Sequence, residues 1–143
     1  MKKYELTSET KVINGLELHR IKALKSFENI KEGDLGGWIE SEKNLSQDGD
    51  AWVGGDATVF GNATISGNAK VRKTADYIVF KNWWSSGRYF TWTRSNNKWK
   101  VGCFYGSGEE LIAKAYKDSE KSGREYERVV NYVESILKEE NNK

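Results

Sequence analysis

The residues best equipped for chemistry lie between positions 77 and 105. That segment holds five basic side chains (Lys81, Arg88, Arg94, Lys98 and Lys100), no acidic one, and ten of the chain's eighteen aromatics. Aromatic rings can stack on nucleobases or anchor a protein interface, while guanidinium and ammonium groups hold phosphates. The tandem Trp83-Trp84 precedes Ser85-Ser86-Gly87, a loop composition in which two adjacent indoles cannot both enter one core. Trp83, Trp84, Arg88, Arg94, Lys98 and Lys100 are therefore the expected binding residues. The competing reading makes Phe90, Trp92, Trp99 and Tyr105 ordinary core beneath packed helices.

Signals for catalysis are thin. The single histidine, His19, and the single cysteine, Cys103, are far apart in sequence and give no metal-ligand spacing. Cys103 is expected on an apolar sheet face as an inert thiol. The glycines of Gly102-Cys-Phe-Tyr-Gly-Ser-Gly108 precede a helix but lack the Lys-Ser/Thr of a phosphate-binding loop, so a strand-to-helix turn accounts for them. No catalytic residue, metal or cofactor is expected.

The element that must position these groups begins with a repeat. Residues 49–77 follow a six-residue unit, G-[DN]-A-x-[VI]-x, with Ala51, Ala57, Ala63, Ala69 and Ala75 at the third position and Val53, Val59, Ile65, Val71 and Tyr77 at the fifth. Six residues do not match a 3.6-residue turn, so helix is excluded. Very short strands separated by Gly-Asx corners fit, with Val53, Val59, Ile65 and Val71 pointing inward and Thr58, Thr64 and Lys70 outward. The unit resembles the hexapeptide repeat of left-handed parallel β-helices over residues 47–76. The resemblance implies a mainly β protein with C-terminal helices (α+β): a short left-handed parallel β-helix over 47–76, an N-terminal β cap over 1–46, and a C-terminal block over 77–143.

Local signals fill in the two flanking blocks. Asn14-Gly15 between apolar residues predicts a two-residue hairpin loop. Asn96-Asn97 predicts another, pairing Ser95 with Lys98 and placing Trp92 opposite Val101 and Phe90 opposite Cys103. Two capping boxes, Ser107-x-x-Glu110 and Ser122-x-x-Glu125, predict the starts of two helices. The second carries the stripe Tyr126, Val129, Val130, Val133, Ile136 and Leu137.

Length, charge and cysteine usage set the outer bounds. The chain has 143 residues and a formal charge of only +2, so no global field argues for nucleic-acid or membrane binding. One cysteine excludes an internal disulfide framework and, with no long apolar run, gives a cytoplasmic expectation.

A second resemblance spans nearly the whole chain. KYELTSETKVINGLELHRIKAL, KEGDLGGWIESEKNLSQDGDAWV, the hexapeptides and GCFYGSGEEL occur in an order similar to small proteins of phages and prophages of Gram-positive bacteria. It implies a non-catalytic accessory binding protein, acting in the bacterial host's cytoplasm. The implied partner is a host factor or antiviral-defence component: a protein, nucleic acid or nucleotide signal. A homo-oligomer, dimer or trimer, is expected, with no membrane partner. Two alternatives stay open: a reduced hexapeptide-type acyl- or nucleotidyltransferase, against which stands the absence of histidine in the repeats, and a purely structural oligomer.

Overall fold

The computed structural model describes residues 2–142. It begins with a hairpin of β1 (Tyr4–Ile13) and β2 (Leu16–Ala23), joined at Asn14 and Gly15. Both turn residues have positive φ, 51° and 82°, the twist-matched geometry that Asn-Gly favours. β3 (Leu35–Ile39) adds antiparallel to β2, and its other edge pairs parallel with the two-residue β5 (Thr58–Val59). β4 (Trp52–Val53) and β6 (Lys70–Val71) form a separate two-stranded parallel sheet, and Leu45 bridges Ile65.

The expected left-handed β-helix is not what the chain builds. The fold is mixed α+β, with several small antiparallel and mixed sheets and, among the described residues, no solenoid. The physical reason is the brevity of the repeat. Its glycines Gly49, Gly55, Gly61 and Gly67 all turn the chain at positive φ, so the paired stretches between them are two residues long. There are too few units to propagate a stack. The partner of β5 comes instead from the N-terminal hairpin, through β3, and the resulting four-stranded sheet is mixed.

Side-chain direction within the repeat follows its period. Val53, Val59, Ile65 and Val71 are buried in one core with Tyr4, Ile21, Ile39, Leu45, Ala51, Ala57, Ala63 and Ala69, whereas Ala75, at the end of the repeat, is exposed. One core therefore joins the N-terminal strands to the repeat. Thr58, Thr64 and Lys70 are half-buried rather than free in solvent, because a second sheet lies close by. The Thr64 amide donates to Thr91 Oγ1 at 3.0 Å and the Lys70 amide to Ser95 Oγ at 2.8 Å.

That second sheet is an antiparallel meander of β7 (Tyr77–Lys81), β8 (Tyr89–Thr93), β9 (Lys98–Val101) and β10 (Phe104–Gly106). The predicted register is off by two residues. Thr93, not Ser95, pairs with Lys98, so Trp92 faces Trp99 across a four-residue loop. The Trp92 indole donates to Asn97 Oδ1 at 2.8 Å and Thr93 Oγ1 to Asn96 Oδ1 at 2.7 Å, and these bonds hold the longer loop. Cys103 consequently leaves the apolar face. It is exposed in the Gly102-Cys103 turn between β9 and β10.

Phe90, Trp92, Trp99 and Val101 pack under α1 (Gly108–Asp118) and α2 (Glu120–Asn141) as a second core. The first capping box forms as predicted, with the Glu110 amide donating to Ser107 Oγ and the Ser107 amide to Glu110 Oε1. The second helix starts earlier than predicted. Its cap is Ser119, whose hydroxyl accepts from the Ser122 amide at 3.0 Å, because the helices meet without a linker and Ser119 ends one while opening the other.

Candidate functional site

Asn82 follows β7 and closes the segment 82–88 on itself. Its side-chain oxygen accepts from the amides of Trp84 and Ser85, at 3.1 and 2.9 Å, and its own amide donates to the Arg88 carbonyl at 2.8 Å. Asn suits this position because its short amide can stand in for a backbone turn. The closed loop then leans on α2 through Trp84. That indole meets the Tyr126 ring edge-to-face at 4.9 Å and donates to Ser122 Oγ at 3.0 Å.

Between the loop, the β9–β10 end of the sheet and the two helices lies a cavity of about 350 Å³. Val101, Phe104, Leu111 and Ala115 give it apolar walls. Its polar groups are Asn82, Ser85, Ser86, Arg88, Lys114, Asp118, Ser119, Ser122 and Tyr126. Lys114 and Asp118, one helical turn apart, stand 3.8 Å from each other. Tyr126 is buried, and that burial raises its phenol above the ordinary value, keeping it protonated.

Arg88 reaches the cavity because of a glycine. Its guanidinium lies over the β9–β10 turn, where a Cβ at Gly102 would sit 2.3 Å from Nη1. A Cβ there would push the guanidinium aside, and glycine also suits the positive φ of 56° at this position.

The six residues expected to bind are not gathered on one face. Trp84 and Arg88 both belong to the 82–88 loop, Trp84 packing on Tyr126 and Arg88 lining the cavity. Trp83 projects outward, 65% exposed, with the Lys121 ammonium 5.0 Å from its ring. Arg94 is engaged in holding the fold: it pairs with Glu140, donates from Nε to the Ala75 carbonyl at 3.0 Å and stacks on Trp92. Lys98 and Lys100 pair with Thr93 and Thr91, on the sheet face turned to the repeat. Antiparallel pairing fixes this split, since directly opposed residues share a face.

Sequence reasoning missed Asn82, Lys114, Ser119, Ser122 and Tyr126. Ser122 and Tyr126 were visible only as helix cap and core stripe. No local pattern announces that a loop so far upstream packs against them, and the separation of 38 positions from Trp84 to Ser122 carries no register. His19 is half-buried on β2 with Nε2 3.4 Å from Glu17 Oε1, and neither it nor Cys103 lines the cavity. Among the described residues no cluster of three His, Cys, Asp or Glu could hold a metal, and no helix is long and apolar enough to cross a membrane.

The chain matches no family model, and no curated protein is similar to it. The resemblance to phage-encoded proteins therefore rests on the residues of this sequence alone.

Proposed function

We propose that this chain is a non-catalytic binding protein that takes a small ligand in the cavity between the 82–88 loop and the helix pair. The observation that carries the reading is the cavity itself: about 350 Å³, with an apolar patch of Val101, Phe104, Leu111 and Ala115 and polar groups from the loop and both helices. That size lies near the low end of the roughly 300–1,000 Å³ of small-molecule sites. In the setting implied by the phage resemblance, the ligand is a nucleotide signal of the host or its antiviral defence. The same reading includes self-association as a dimer or trimer, which light scattering checks; a monomer removes that part.

The test is thermal stabilisation by nucleotides, cyclic nucleotides and acetyl-coenzyme A. A ligand at a hundred times its Kd raises stability by about 2.7 kcal/mol if it binds only the folded chain. Nucleotide-specific stabilisation supports the proposal. Stabilisation by acetyl-coenzyme A alone favours a transferase instead. A second reading, capture of a host protein, is favoured by the exposed Trp83 beside Lys121. In that case Trp83→Ala abolishes partner binding while cavity ligands have no effect.

A further inference from the structure

Of the five hydroxyls around the cavity, that of Ser85 donates to Asn82 Oδ1 at 3.3 Å, and the other four act toward the protein as acceptors. Ser86 Oγ accepts from the Arg88 amide at 3.1 Å, Ser119 Oγ from the Ser122 amide at 3.0 Å, and Ser122 Oγ from the Trp84 indole at 3.0 Å. The Tyr126 oxygen accepts, more distantly, from Asn82 Nδ2 at 3.5 Å. Each of these four oxygens thus has a fixed N–H pointing at it. Among the described residues none of the four donates its own proton to another protein group. A hydroxyl has one proton to give, so a hydroxyl already accepting is left to act as a donor.

The charges run the same way. Lys114 stands beside the one carboxylate that lines the cavity, Asp118. The Arg88 guanidinium, held over Gly102, has no carboxylate within 4 Å and no hydrogen-bond acceptor among the described residues. Its forked donors match two oxygens of one phosphate or carboxylate. A lining rich in donors, with one unpaired guanidinium, selects a ligand rich in acceptors. Several hydroxyls together with a guanidinium suit the three oxygens of a tetrahedral phosphate better than the two of a carboxylate.

We infer that the cavity binds a phosphate monoester, with the phosphate on Arg88 and the hydroxyls of Ser86, Ser119 and Ser122 and its organic body against Phe104, Leu111 and Tyr126. This rests on the small-ligand reading above and adds the ligand's class. The experiment is equilibrium binding of ribonucleoside monophosphates, the matching nucleosides and inorganic phosphate to the full chain. It compares the wild type with Arg88→Gln, and with Lys138→Gln, an exposed lysine near the end of α2, as control. At least one monophosphate is expected to bind about tenfold or more tighter than its nucleoside, and Arg88→Gln to erase that difference, since a charge-assisted contact is lost. The control should bind as wild type does. If inorganic phosphate binds as tightly as the best monophosphate, the phosphate seat stands and its source is the free ion. Equal binding of nucleosides and monophosphates, or unchanged binding by Arg88→Gln, overturns the phosphate seat and leaves the cavity as a neutral-ligand site. If no probe binds, both the seat and the small-ligand reading fall. Circular dichroism of each variant separates loss of binding from loss of fold.

Discussion

Lys3 shows how far one residue can depart from its type. Lysines normally keep their ammonium in water, yet Lys3 is fully buried against the repeat. Its ammonium donates to the carbonyl of Ala51 at 2.6 Å and faces the Phe27 ring at 5.3 Å. Desolvation dominates and lowers its pKa from 10.5 to about 8, with Asp50 pulling the other way and Lys70 adding to the fall. Between those two pH values the unfolded chain holds a proton that the folded chain has released, so stability should rise with pH. Below about pH 8 both states are protonated and the full burial penalty applies. Tyr4 works in the opposite sense: burial raises its pKa above 10.0, so it favours unfolding only at higher pH. The clean window is therefore pH 8 to 10. Urea unfolding across it should give a stability that climbs for the wild type relative to Lys3→Met, and parallel curves would refute the assignment.

Among the elements, the 82–88 loop has the least sequence signal and the most consequence. Asn82 is buried and satisfies two loop amides at once, so Asn82→Ala leaves both without a partner. The expected cost is about 1–3 kcal/mol, read by denaturant titration, with quenching or shift of the Trp84 fluorescence as the loop detaches from α2. A cost within about 0.5 kcal/mol, as at an ordinary surface site, would show that the loop is held by Trp84 alone. Elements announced by local chemistry were legible in advance. Asn14-Gly15, the Ser107-Glu110 box and the six-residue spacing of Val53, Val59, Ile65 and Val71 each act within a few residues. Features set by tertiary partners were not. The Trp92–Trp99 register depends on side-chain bonds inside a four-residue loop, β7 depends on β8, and the start of α2 depends on the end of α1. The site was half legible for the same reason: Trp84 and Arg88 stand in a segment of unusual composition, whereas Tyr126 and the helix serines acquire their role only by packing.

At the scale of the whole molecule, two cores are held together by the meander. One of its faces carries Phe90, Trp92, Trp99 and Val101 to the helices. The other carries Tyr77, Val79, Thr91 and Thr93 to the repeat, with Tyr77 and Val79 packed against the first core. Polar contacts cross that seam where apolar ones would be expected. The repeat's short strands leave backbone amides at their margins, and the meander supplies acceptors in Thr91 Oγ1 and Ser95 Oγ. Tyr77 returns the contact by donating its hydroxyl to the Thr58 carbonyl at 2.9 Å. An unpaired buried amide costs about as much as the hydrogen bond it lacks, so neither half presents a finished surface without the other. The chain should accordingly melt in one cooperative transition, with near-ultraviolet and far-ultraviolet dichroism changing together. Thr91→Val keeps the shape of the side chain but removes the acceptor for Thr64, and should destabilise both halves equally, by about 1–3 kcal/mol. Thr91→Ser keeps the hydroxyl and should recover most of that loss. If Thr91→Val instead separates the melt into two steps, with the tryptophan-rich helical half unfolding at its original temperature, the seam is a contact between independent units rather than the bond that makes them one.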